Sequence, residues 1–82
     1  MVNGEADKIG KGDMKYWVVI EKTPRNYSAY VPDLPGCIAT GKTRAEVERL
    51  IREAIAFHIE GLKLEGLPVP KPTSWADLVE VA

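Results

Sequence analysis

The sequence predicts an α+β domain: a three-stranded antiparallel meander, one long helix packed on it and a short fourth strand, in the order β-β-β-α-β. Three observations carry this reading. Two β-prone runs, residues 15–22 (KYWVVIEK) and 27–31 (YSAYV), are separated by the turn residues Thr23-Pro24-Arg25-Asn26. The corner PDLPGC (residues 32–37) leads into a small apolar run that ends at Gly41. From Val47 to Leu62, apolar residues then recur at three- and four-residue spacing.

Each element has a local cause. The first strand holds five consecutive aromatic or β-branched residues, and alternation places Tyr16, Val18 and Ile20 on one face and Trp17, Val19 and Glu21 on the other. Residues 27–31 fold back on it as a hairpin, and residues 38–41 supply the third strand. Pro32 and Pro35 each fix φ near −65° and remove a backbone donor, while Gly36 accepts a positive φ. The corner between the second and third strands is therefore stiff, and Asp33 and Leu34 are expected on its outside.

Thr43-Arg44-Ala45-Glu46 reads as a capping box, so the helix should begin at Arg44. Val47, Leu50, Ile51, Ala54, Ile55, His58 and Leu62 form its buried stripe; Glu46, Arg49, Arg52, Glu53, Glu60 and Lys63 form its wet side. Gly66 stops it and Pro68 follows, giving about 22 residues or roughly 33 Å. Gly61 falls within the stripe, which suits either a close approach to the sheet or a frayed last turn. Alternating prolines in residues 67–72 (LPVPKP) then make a stiff extended strap. Thr73 or Ser74 should cap a single turn around Trp75, which should itself be packed, and residues 78–81 should form the fourth strand.

At the other end, residues 1–13 carry three glycines, five charges and no periodic pattern, the composition of a mobile tail; residues 14–82 would be the single domain. A chain of 82 residues buries only about 60–65% of its unfolded surface, which leaves no room for a second domain. Eleven basic against twelve acidic residues give a net charge of −1, and the basic residues are scattered along the sequence, so no nucleic-acid footprint is visible. Cys37 has no partner cysteine, and no signal peptide or membrane-length apolar run is present, which reads as a cytoplasmic protein.

Catalytic chemistry finds little material. The strand order is that of a ribonuclease H half-fold, whose two-metal nucleases need converging carboxylates. Here the nearest acids are Glu21 at a strand edge, Glu46 in the capping box and Asp77 near the terminus. His58, the single histidine, lies in the apolar stripe and reads as a neutral core residue; Cys37 reads as a small buried hydrophobe. One His and one Cys cannot supply a zinc site, so no cofactor or metal and no enzymatic activity are expected.

Residues 30–37 (YVPDLPGC), 41–46 (GKTRAE) and 66–70 (GLPVP) together resemble the HicB antitoxin-like family, over about residues 15 to 72. The resemblance implies a degenerate ribonuclease H-like fold, assembly into homodimers or homotetramers, and inhibition of a small mRNA-cleaving toxin, HicA. A member with its toxin neutralises it; one without is an orphan oligomeric binding protein. Many such antitoxins carry a C-terminal DNA-binding domain, and since the sequence up to Ala82 displays none, no direct DNA binding is expected. Physical reasoning converges on binding: the first strand is apolar on both faces, yet one helix covers only one. Trp17 and Val19, or Tyr16 and Val18 if the helix takes the other face, would anchor an oligomer. Tyr30, Asp33, Leu34 and Glu21 would meet a basic toxin.

Overall fold

The computed structural model describes residues 4–11 and 14–81. Strands β1 (Gly4–Lys11), β2 (Met14–Lys22), β3 (Tyr27–Tyr30) and β4 (Ile38–Gly41) form one antiparallel sheet in the order β1-β2-β3-β4. Helix α1 (Arg44–Leu64) follows, and residues 67–81 carry no regular element. The expected meander and long helix are present.

The β2–β3 reversal is closed by its own side chains. Thr23 N–H donates to the Asn26 carbonyl at 2.8 Å, and the Thr23 hydroxyl accepts from the Asn26 and Arg25 amides and donates to Asn26 Oδ1 at 2.7 Å. The β3–β4 corner consists of two linked turns that share Leu34. Leu34 N–H donates to the Val31 carbonyl, and Cys37 N–H to the Leu34 carbonyl at 3.0 Å. Each turn has proline at its second position, and Gly36, at φ 83°, supplies the left-handed residue at the third position of the second turn.

At Gly41, the last residue of β4, sheet and helix backbones come close. A Cβ there would lie 2.9 Å from the Val47 nitrogen and 3.2 Å from its Cα, so only glycine fits without moving backbone. Gly61 has open space around it, and the reading of close approach at that position is set aside.

The helix starts as its sequence requires, with Thr43 extended at the N-cap and its hydroxyl accepting from the Glu46 amide at 3.1 Å. It ends in a Schellman turn: Gly66, at φ 70°, donates to the Lys63 carbonyl, and Leu67 to the Leu62 carbonyl at 2.9 Å. Its core line is Val47, Ile51, Ile55 and Ile59, one residue per turn. Leu50, Ala54, His58 and Leu62 flank that line half-buried, and Ile59 is a core residue the spacing argument left out. These side chains close over Tyr16, Val18 and Ile20 of β2, Ala29 of β3, and Val31, Leu34 and Cys37 of the corner. Burial raises the pKa of the Cys37 thiol, which sits in that core as an apolar group.

Three expectations need correction. Residues 1–13 are not a tail throughout, since Gly4–Lys11 pairs with β2 from Gly4↔Glu21 to Lys11↔Met14. Composition limits a segment's ability to build its own core, whereas adding a strand uses backbone groups that any residue carries. Residues 78–81 form no strand, and the turn around Trp75 is absent; Trp75 is 90% and Leu78 99% exposed. β1 already occupies the outer edge of β2, and the strap is pinned elsewhere. Leu34, expected outside the corner, is fully buried, because two successive turns roll it inward and leave Pro32 and Pro35 exposed.

Candidate partner-binding surface

The strap passes over the helix-covered side of the sheet before reaching the corner. Val69 packs on the core, and the buried Tyr16 hydroxyl donates to the Pro70 carbonyl at 2.5 Å. Asp33 then takes four hydrogen bonds: its carboxylate accepts from the Thr73 and Ser74 amides at 3.0 Å each, from the Thr73 hydroxyl at 3.0 Å and from the Ser74 hydroxyl at 2.8 Å. The two Ser74 bonds, with those of Thr73 adding to them, lower the Asp33 pKa to about 2. Burial raises the pKa of Tyr16, and the neighbouring Asp33 charge raises it further. Asp33 is thus committed to holding the strap. Thr73 and Ser74 were expected to start a turn, and nothing local to them signals a carboxylate 40 residues away.

Among the described residues, no helix lies over the other face of the sheet. The register aligns Val19, Tyr30 and Ile38 in one row across β2, β3 and β4. Tyr30 is 41% and Ile38 68% exposed, while Val19 and Trp17, two residues before it, are half-buried. Glu21 is exposed at the far end of β2, opposite Ser28. Beyond the clamp, Pro72, Ser74, Trp75 and Ala76 line a shallow concavity with Trp17, which brings the exposed Trp75 ring to the margin of this face. Of the residues expected to bind partners, Trp17, Val19, Tyr30 and Glu21 therefore share the open face. Asp33 belongs to the strap contact and Leu34 to the core. Ile38 completes the apolar row; its place two residues after Gly36, in a run taken simply as small and apolar, did not reveal it.

Among the described residues, no three His, Cys, Asp or Glu groups come together as metal ligands. Among the same residues, no helix is long and apolar enough to cross a membrane.

Residues 16–81 match the family described as the HicB-like antitoxin of bacterial toxin–antitoxin systems. The chain belongs to that family. This HicB-like chain is 40% identical to a chain of a solved HicA3 and HicB3 toxin–antitoxin complex, with a TM-score of 0.62 over 72% of this chain and 70% of that one. It is 43% identical over 58 residues to a 14.9 kDa protein of Haemophilus phage HP1, covering 71% of this chain and 44% of the phage protein. It therefore spans less than half of that relative's length. A UPF0150 protein of Thermoplasma acidophilum is 44% identical over 59 residues, covering 71% of this chain and 86% of that protein. A UPF0150 protein of Helicobacter pylori is 38% identical over 65 residues, covering 78% of this chain and 90% of that protein. The matched stretch runs from β2 through the strap and contains the corner, the Asp33 contact and the row Val19, Tyr30 and Ile38 of the open face, with β1 outside it.

Proposed function

We propose that this chain is a non-enzymatic antitoxin that acts in the cytoplasm by direct contact, neutralising a small HicA-type toxin that cleaves mRNA. The observation that carries the reading is the family match together with the likeness to a chain of a toxin–antitoxin complex at 40% identity. The open face supports it physically. Its row of Val19, Tyr30 and Ile38, bordered by Trp17 and by Trp75, is apolar surface on rigid strands, which loses little entropy when covered. Glu21 at its end offers a basic toxin an acidic contact. Leu34 is withdrawn from the contact set, and Asp33 serves it by fixing the strap.

The test is co-expression with a HicA-type toxin, scored for growth and for a stoichiometric complex by size-exclusion chromatography. Rescue together with co-elution is expected, and Tyr30→Asp with Ile38→Asp should lose both while remaining folded. Failure of the native chain to bind toxin would overturn the reading. So would magnesium-dependent RNA cleavage that survives purification, since that belongs to the alternative of a small metal-dependent nuclease.

A second reading, an orphan homo-oligomer, rests on the same exposed row, with Trp17 and Val19 as anchors between copies. Light scattering of the chain alone distinguishes it. A dimer or tetramer that dissociates on Val19→Asp places self-association on this face, and a strict monomer removes it.

A further inference from the structure

Helix α1 carries on its outward side a feature that its own fold does not use. Its core line, Val47, Ile51, Ile55 and Ile59, faces the sheet. Phe57 and Leu64 point away from the core and are 81% and 83% exposed. With Gly61 between them they occupy positions i, i+4 and i+7, which place all three on one face of the helix.

Gly61 is the informative member of this stripe. Glycine is the weakest helix former after proline, so its presence in the interior of a 21-residue helix calls for a reason. The chain itself supplies none: a Cβ at Gly61 would meet nothing within 4 Å, and its φ is not positive. Neither close packing on the sheet nor a special backbone conformation requires it. A missing side chain between two exposed large apolar ones leaves a notch, and a second helix can cross there at short interaxial distance. On the flank of the stripe stand Glu60 and Lys63, and among the described residues neither forms an ion pair.

The symmetry of the stripe sets its occupant. Phe57 lies four residues before Gly61 and Leu64 three after it, so a second α1 running antiparallel across the notch places each Phe57 against the other copy's Leu64. The two glycines then meet at the crossing. The same arrangement brings each Glu60 toward the other copy's Lys63, opposite charges at the edge of an apolar contact. The stripe is complementary to itself.

We propose that the outward face of α1, centred on Gly61 with Phe57 and Leu64, is a self-association surface through which two copies of the chain pair antiparallel about a two-fold axis. A single helix crossing lies at the small, transient end of specific interfaces. It is on the opposite side of the sheet from the row Val19, Tyr30 and Ile38, so pairing through α1 leaves the proposed toxin surface open and does not depend on that reading.

The experiment is sedimentation equilibrium of the whole chain from micromolar to near-millimolar concentration, with thermal melts at the dilute end. A monomer–dimer equilibrium is expected for the native chain. Gly61→Gln fills the notch at a place where the chain has room, so the dilute variant should melt higher, as a better helix former does, while its dimer dissociation constant rises roughly tenfold or more. A purely structural role for Gly61 does not produce these opposite signs. Phe57→Ala with Leu64→Ala should abolish the dimer, Glu60→Lys should weaken it, and Glu60→Lys with Lys63→Glu should restore it. Val19→Asp, on the open face, should leave it unchanged. A strict monomer across the range overturns the proposal, and so does a dimer that survives both Gly61→Gln and the Phe57 and Leu64 double variant. A dimer lost on Val19→Asp but kept by the α1 variants overturns it too, since self-association then belongs to the open face.

Discussion

The two ends of the sheet handle charge in opposite ways. At the corner end, one carboxylate receives four hydrogen bonds from Thr73 and Ser74, and its proton affinity falls accordingly. At the turn end, Lys22, Arg25, Lys42 and Arg44 line one concavity, and among the described residues no acid lines it with them. The first arrangement is internally complete, so Asp33, which looks like a recognition residue in the sequence, is spent on the protein's own chain. In the second, Lys22, Arg25 and Lys42 stand beside an Arg44 already bonded to Glu48, so residues that look like ordinary solubilising lysines and arginines are gathered at one end of the sheet. Exposure alone does not separate the two cases; the separation comes from counting the partners each charge already has.

The largest way to break this comparison is at the corner core. Leu34→Ala should destabilise the domain by about 2–5 kcal/mol in urea unfolding, because Leu34 is fully buried where the two turns meet. An effect under about 0.5 kcal/mol, the range of surface substitutions, would return Leu34 to the outside.

The clamp comes next. The Asp33 carboxylate has its pKa depressed from the ordinary 3.8 to about 2, so its contribution is complete above the ordinary value and fades as pH falls toward the depressed one. Amide protection at Thr73 and Ser74, relative to the intrinsic exchange rate at each pH, should fall across that acid window in the native chain. Asp33→Asn should show low protection already at neutral pH, with no further change in protection through the window. Equal protection in the two proteins would remove the clamp.

Tyr16→Phe is expected to cost about 1 kcal/mol, as removal of a donor from the Pro70 carbonyl implies, and to loosen the strap while the sheet stays intact. The smallest effect has the opposite sign. Lys42→Glu should stabilise the fold by about 0.3–1 kcal/mol at low salt by placing a negative charge beside the helix start. The gain should shrink as salt is added. Destabilisation there would mean that Lys42 itself already has an internal partner.

Much of this fold is legible because its signals are local. Thr43 and Glu46 mark the helix start within four residues, and Gly66 marks its end. What escapes is set by distance along the chain. The prolines announce a rigid corner, but whether Leu34 points in or out depends on how two turns are joined and what lies beneath them. The β-prone residues 78–81 read as a strand on propensity, yet a strand exists only where it pairs, and the edge of β2 is taken by β1. The site is less legible still: Trp17, Val19 and Tyr30 follow from alternation, whereas Ile38 depends on register and the basic cluster on the return of β4 to the end where β2 stops.

The strap also bears on the order in which the molecule assembles. Strands β2 to β4 and α1 meet neighbours that are close in sequence, whereas the strap contacts join residues 54, 40 and 41 positions apart. Closing a loop of that length costs entropy that grows with the logarithm of its size, and it is repaid only once Tyr16 and Asp33 are already in place. Sheet and helix therefore form before the strap has a seat, and the strap locks late. In the native state it is correspondingly the first segment to open, as a unit, while the core beneath it stays shut.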